Sequence, residues 1–459
     1  MRSRKIRVGA VAAMAVTGLV LAGCASDDDT NEPQSAGGTW PGEGMSECEG
    51  LEQLAEFGDL TGTTVGVYTS ILPPEQEAHE ASYELFTTCT GAEVDYDGSD
   101  QFETQLVVRV KAGNAPDIAY IPQPGLLQTV VASGEVEAAP TPTADNVDEF
   151  FGEDWKGYGT VDGTFYAAPL GASVKSFVWY SPSMFSDNGW EVPETWDDMI
   201  ALSDEIADSG MKPWCVGIES GEATGWVATD WLEDAVLRDA GADTYDQWVN
   251  HEIAFDDPAI VESLDRVGEI MKNPDYVNGG FGDVKSIATT AFQDGGLPIL
   301  DGKCALHRQA SFYAAQWPEG TNVNEDGDVF AFYLPPTNEE NGKPVLGGGE
   351  FVAAFSNEPQ VQAFQTYLST DVWANEKAQA TPGGGWVSAN TGLDIANLTS
   401  PIDQLSAETF QDPEAVFRFD GSDQMPSAIG AGAFWKEMTA WVTGDSSEQA
   451  LGNIESAWQ

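Results

Sequence analysis

Positive charge is scarce in this sequence: 19 lysines and arginines stand against 75 aspartates and glutamates in 459 residues, a formal charge of −56. Four of those bases (Arg2, Arg4, Lys5, Arg7) lie in the first 23 residues, which contain no acid, so the rest of the chain carries 15 bases against 75 acids. Such a field repels phosphate backbones and anionic lipid surfaces, which excludes nucleic-acid binding and membrane attachment through charge. Histidine is scarcer still, with His79, His251 and His307 far apart, and C-x-x-C is missing, so the usual zinc spacings are absent. There is no G-x-S-x-G, H-E-x-x-H or G-x-x-x-x-G-K-[ST]. Asn322-x-Asn324-x-Asp326-Gly327 imitates the start of a calcium loop, but its twelfth position is Tyr333 rather than a bidentate Glu. These absences lead to the expectation of no metal, no cofactor and no catalytic residue. What is present is 42% hydrophobic and 10% aromatic residues, too many for a disordered acidic tail, and a length that calls for two domains.

The N-terminus has the organisation of an export signal. Basic residues lead into the apolar run Val8 to Leu21, too short for a comfortable membrane span, and no later stretch offers 18 consecutive apolar residues. The junction Leu21-Ala22-Gly23-Cys24 resembles the bacterial lipobox, in which the cysteine becomes the first mature residue and carries a diacylglyceryl thioether. That resemblance implies a signal peptide at 1–23, lipidation at Cys24, a flexible anchor segment at 24–47, and a location on the outer face of the cell membrane. Removing Cys24 leaves Cys48, Cys89, Cys215 and Cys304, an even number suited to two disulfides in an exported chain, with three pairings open.

Past residue 60, short β-type runs alternate with amphipathic helical stretches. Strands are expected at Thr64–Tyr68, Glu93–Tyr96 and Asp117–Ile121, with helices from Pro73-Pro74 to Cys89 and from Phe102 to Val110 between them. This β-α-β-α-β order predicts a parallel sheet covered on both faces. After Tyr166-Ala167-Ala168-Pro169 the pattern resumes with strands at Lys175–Tyr180 and Pro213–Ile218. Thr195 with Asp198 forms a capping-box-like helix start, and Asp257-Pro258 opens a helix with Ile260, Leu264, Val267 and Met271 at helical spacing. Further helices are expected at Pro359–Leu368, Ala433–Val442 and Ser446–Trp458. The coarse reading is two α/β lobes.

Several segments, in order, carry a resemblance: Ile121-Pro122-Gln123-Pro124-Gly125; Asp162-Gly163-Thr164-Phe165-Tyr166-Ala167-Ala168-Pro169; Lys175 to Tyr180; Pro213 to Gly221; Ala223-Thr224-Gly225-Trp226; Leu306 to Phe312; Gly347-Gly348-Gly349-Glu350-Phe351; and Met425 to Trp435. Together with the lipobox they resemble the extracellular solute-binding proteins of carbohydrate ABC importers, the family of maltose-binding protein, within which the α-glucoside-binding subgroup is most similar. The resemblance runs from about Leu60 to the C-terminus. It implies a two-lobed periplasmic-binding-protein-like fold of type II, each lobe a mainly parallel sheet flanked by helices, with the ligand cleft between the lobes. The chain then crosses between lobes more than once, and the expected division is 48–170 plus 300–355 for the first lobe and 175–295 plus 375–459 for the second. On that division the favoured disulfides are Cys48–Cys89 and Cys215–Cys304, the latter close to the lobe border.

A sugar presents flat C–H faces and hydroxyls in fixed directions, so its site needs planar rings and convergent charged or amide groups. Most of the 15 tryptophans must be core. Trp435 stands out because Met425 to Trp435 resembles, at equal length, the family segment whose last Trp stacks on a glucosyl ring. Trp226 opens a helix after a Thr-Gly turn, with Asp230 one turn on, and Trp386 follows three glycines. Gln123, and Ser99 with Asp100, follow strand ends, where open α/β sheets bind ligands. Lys175 and Glu350 lie at expected crossovers; His307, Arg308, Arg418 and Asp420 complete the candidate ligand set. The expected function is the substrate-binding lipoprotein of an ABC importer, a monomer that captures an α-glucoside or related oligosaccharide and delivers it to the membrane permease by lobe closure. The alternative is a secreted glycoside hydrolase using a carboxylate pair.

Overall fold

The computed structural model of the protein describes residues 39–458 apart from 338 and 413, so the expected signal peptide, Cys24 and most of the expected anchor segment lie outside the described residues. In the first sheet, Thr64–Thr69 pairs in parallel with Glu93–Gly98 on one side and with the central strand Ile118–Ile121 on the other. Helices Gln76–Ala81, Glu84–Thr90 and Phe102–Lys111 make the crossovers between these strands. Phe351–Ala354 then runs antiparallel between Ile118–Ile121 and Ala167–Pro169, completing five strands. Ile118–Ile121 is buried throughout, as an apolar run covered on both faces should be. One covering layer is aromatic: Tyr83 and Phe86 meet Phe364 of the helix Pro359–Leu368 at ring-centroid distances of 5.1 and 5.0 Å. Cys48 and Cys89 are joined, tying the turn Ser46–Cys48 to the helix Glu84–Thr90.

The second sheet has the order Phe330–Tyr333, Phe177–Tyr180, Cys304–Arg308, Lys212–Trp214, and its last pair alone is parallel. Helices cover it for legible reasons. The Thr195 hydroxyl accepts the Asp198 N–H at the start of Trp196–Asp208. Ile260, Leu264, Val267 and Met271 form the buried stripe of Pro258–Met271. Trp226–Asp239 is buried along almost its whole length. A third sheet, of Ser173–Val174, Lys343–Gly348 and Ala415–Phe419, is built from segments on which the chain passes between the other two cores.

Two expectations need correction. Residues 300–355 do not go together with the first lobe: Cys304–Arg308 and Phe330–Tyr333 hydrogen-bond to Phe177–Tyr180, and Phe351–Ala354 alone of these strands joins the first sheet. Nor does all of 375–459 go with the second. Ala378, Trp386, Val387 and Leu398 pack in one core with Val65 and Phe86, whereas Met425, Phe434, Met438 and Trp441 pack with Trp214 and Trp231. Cys215–Cys304, which is joined, therefore lies wholly within the second sheet's surroundings. Both sheets are mainly parallel in strand direction: Phe351–Ala354 is the one reversed strand of the first, and Phe177–Tyr180 that of the second.

Candidate functional site

Three parallel strands of the first sheet end at one place, and the residues that follow them line a cavity of about 370 Å³: Ser70 after Thr69, Ser99 and Asp100 after Gly98, Pro122 and Gln123 after Ile121. This is the strand-end position at which open α/β sheets take ligands. The facing wall is Glu219, Trp226, Phe292 and Trp435, and the crossing segments contribute Ser173, Lys175, Glu350 and Asp420. Trp386 and Phe312 close the remaining side.

Local packing holds the rings in place. Trp226 begins the helix Trp226–Asp239, and its ring meets Phe292 edge-on at 5.2 Å. Trp435 ends a π-helical stretch, Ala428–Phe434, and starts Trp435–Thr443; its indole N–H donates to the Ser422 hydroxyl at 3.3 Å. Gly225, at φ +117°, joins the two: a Cβ there would collide with the Trp435 carbonyl, so the two Trp-bearing helices approach closely only with glycine. Gly171 does the same for the other side, since a Cβ would lie 3.0 Å from Trp386 Nε1 and 3.1 Å from Glu350 Oε2.

Charge in the cavity is lopsided. Lys175, the cation among its described walls, donates to Asp230 at 3.1 Å and to Asp420, with Asp423 at 3.9 Å. Burial works against its charge, but the surrounding carboxylates outweigh it and raise its pKa well above that of a free lysine. Behind it, Asp230 is pushed up to about 7 by burial, although Lys175 and Arg308 pull the other way. On the Trp386 side, burial and then the Glu350 charge push the Glu75 carboxyl up to about 8, and burial raises Glu350 as well. Three buried polar atoms of the lining have no partner among the described residues: the Gln123 side-chain oxygen, His79 Nδ1 and the Trp386 indole N–H. A set of rings, carboxylates, one ammonium and three unpaired amide, imidazole or indole groups suits an uncharged, hydroxyl-rich ligand with apolar faces.

Of the residues expected to hold ligand, Trp435, Trp226, Trp386, Gln123, Ser99, Asp100, Lys175, Glu350 and Asp420 are brought together on the cavity's walls. Four are placed elsewhere. Asp230 lies underneath, bound to Lys175 and Arg308. Arg308 is fully buried between Asp230 and Asp234. His307 is buried with Nδ1 2.9 Å from the Cys215 carbonyl oxygen, and burial holds its pKa down to about 4. Arg418 points outward in a two-pronged pair with Asp246, at 2.6 and 2.8 Å. Sequence reasoning did not single out Glu75, His79, Glu103, Phe292 or Asp423, which also line the cavity. Glu219 and Phe312 stand inside segments already noted for their resemblance, and Asp423 is one helical turn from Asp420; Glu75 and His79 carry no such signal.

The sequence matches the family described as "Bacterial extracellular solute-binding protein" over residues 72–380. It is 39% identical over 417 residues to the osmoprotective compounds-binding protein GgtB of Synechocystis sp., covering 90% of this chain and 96% of that one. It is 38% identical over 427 residues to the alpha-glucosides-binding periplasmic protein AglE of Rhizobium meliloti, covering 89% and 90%. Among solved structures, the bacterial solute receptor AcbH superposes with a TM-score of 0.73 at 19% identity, over 86% of this chain and 98% of that one. Maltose-bound MalE3 of T. maritima gives 0.66 at 15%, over 86% and 98%. These structural likenesses speak to the fold.

Proposed function

The chain belongs to the bacterial extracellular solute-binding proteins, and from that premise we propose that it captures an α-glucoside or related oligosaccharide and hands it to the permease of an ABC importer. One arrangement carries the reading: three indole rings (Trp226, Trp386, Trp435) and the polar groups of Lys175, Glu350 and Asp420 face a single cavity at the segments where the chain crosses between two cores. Rings stack on the C–H faces of a hexosyl unit while the fixed carboxylates and ammonium take its hydroxyls. The name of the Rhizobium meliloti relative supports the α-glucoside class. The three-stranded crossing sheet supports closure as the capture step, because a movement about it would bring Gln123 and Ser99 towards Trp226 and Trp435. The protein acts as a monomer and performs no chemistry on the sugar.

The test is incubation with maltose, trehalose and sucrose. A bound sugar at a hundredfold excess over its Kd raises unfolding free energy by about 2.7 kcal/mol, so the melting temperature should rise while chromatography recovers the sugar intact. Released glucose would overturn the binding reading in favour of a hydrolase; no shift with any of the three would remove the α-glucoside class.

The same reading includes a lipid anchor at Cys24, outside the described residues. Among those residues no helix is long and apolar enough to cross a membrane. Cys24→Ser is expected to move the protein from the membrane fraction to the soluble fraction with its sugar affinity unchanged. Continued sedimentation with membranes would remove the anchor.

A further inference from the structure

Behind Trp386 lies a second cavity, of about 460 Å³. Its walls come from three segments: Pro74–His79, 314–323 and 377–386. The first and last adjoin the core of the first sheet, while Ala314 and Trp317 belong to a core cluster with Trp179 of the second sheet. Glu75, His79, Gly385 and Trp386 line both cavities and form the partition between them.

That partition has unused hydrogen-bonding capacity. His79 is 4% exposed and Trp386 7%, yet His79 Nδ1 and Trp386 Nε1 have no partner among the described residues. A buried polar atom without a partner is costly, and two of them at one partition point to a bound molecule that supplies hydroxyls there. The imidazole is held neutral, since burial and then the Lys377 charge keep its pKa well below that of a free histidine, so it offers one lone pair and one N–H. Inside the chamber Trp317 offers another indole, and its N–H too has no partner among the described residues. Lys377, 5.1 Å from the centroid of the Trp386 ring, donates to the Thr381 hydroxyl at 2.8 Å. Indoles, carboxylates and hydroxyls around a space of this size repeat the composition of the front cavity.

We propose that the rear chamber is a second glycosyl site, in which a ligand that fills the front cavity places a further sugar unit against Trp317 and the far side of the Glu75–Trp386 partition. The proposal rests on the reading that the front cavity holds an α-glucoside. It makes a trisaccharide, rather than a disaccharide, the ligand that engages all the unpaired groups. Ala78 and Thr321 line the rear chamber and not the front one, and both are partly exposed, so a large side chain at either fills the rear without touching the front.

The experiment is titration calorimetry of paired ligands, maltose with maltotriose and sucrose with raffinose, on the wild-type protein and on Ala78→Phe and Thr321→Trp. Expected is a trisaccharide bound at least tenfold more tightly than its disaccharide by the wild type. Both variants should lose that gain while keeping disaccharide affinity within about twofold. Thermal melting checks that each variant is folded, and the two positions lie on different segments, so failure of one to fold leaves the other. Equal affinity for di- and trisaccharide in the wild type overturns the proposal, as does a gain that survives in a folded variant; in both cases the front-cavity reading stands. If no disaccharide or trisaccharide binds at all, the front-cavity reading fails and the rear site falls with it.

Discussion

Arg308→Met is expected to destabilise the protein by about 3–5 kcal/mol, the range for removing one partner of a buried ion pair and leaving the other without compensation. Arg308 is fully buried and its guanidinium serves two carboxylates: it donates to Asp230 at 3.3 Å, to the Asp230 carbonyl oxygen at 3.1 Å, and to Asp234. Methionine fills much of the volume but leaves Asp230 with Lys175 as its remaining counter-ion and Asp234 with Arg238. The loss should depend on pH with a definite sign. Burial already raises Asp230 to about 7 while Arg308 pulls it down, so removing Arg308 raises it further. An unfolded Asp titrates near 3.9, so over the interval from about 4 to the folded value the native state holds a proton that the unfolded chain has released. Stability therefore falls as pH rises through that interval, and the deficit of the variant should be smaller at pH 5 than at pH 8. Urea unfolding at the two pH values measures it. A contrast is built in: Arg418→Met breaks a half-exposed pair with Asp246 and should cost no more than about 1 kcal/mol. Equal costs for the two arginines, or a deficit for Arg308→Met that does not change with pH, would overturn this account of the buried network.

These two arginines also mark what one sequence can and cannot tell. Both were reasonable ligand candidates because cations are rare here, with 15 left past the first 23 residues. Rarity says that each cation has partners, but not which: with 75 acids available, the choice between sugar and carboxylate is made by tertiary placement. Local rules did better where the determinant is local. The Thr195–Asp198 start, the Ile260-to-Met271 stripe and the strands around Thr64, Glu93 and Ile118 needed only capping chemistry and periodicity. Strand pairing is not local, so nothing in the run Cys304–Arg308 announces that it pairs with Phe177–Tyr180 rather than with the first sheet. The same holds for Glu75 and His79. They sit on a helix start and a short helix with no motif around them, and become part of the partition through the approach of Trp386 from more than 300 positions away.

Trp435→Ala is expected to weaken sugar binding tenfold to a hundredfold with a modest effect on the unliganded fold. The ring is buried, but it belongs to none of the apolar clusters that hold its neighbours Phe434, Met438 and Trp441. It lines the front cavity, and its one polar atom is bound to the Ser422 hydroxyl. A glucosyl face stacked on it removes several tens of Å² of apolar surface from water, and at about 25 cal/mol per Å² this amounts to roughly 1–3 kcal/mol. The indole is already oriented by Ser422 and by the close approach of Gly225, so little freedom is lost on binding and most of that energy appears as affinity. Truncation of a core tryptophan behaves differently, costing about 3–5 kcal/mol of folding free energy through the cavity it leaves. Trp441, 1% exposed in the second core, supplies that comparison. Calorimetric titration and unliganded thermal melting, run side by side on Trp435→Ala and Trp441→Ala, separate the two roles. The first variant should lose affinity and keep its melting temperature, whereas the second should lose its melting temperature and, where it remains folded, keep its affinity. If Trp435→Ala melts as early as Trp441→Ala and its folded fraction binds sugar normally, Trp435 is a packing residue and the front cavity has lost its principal stacking surface.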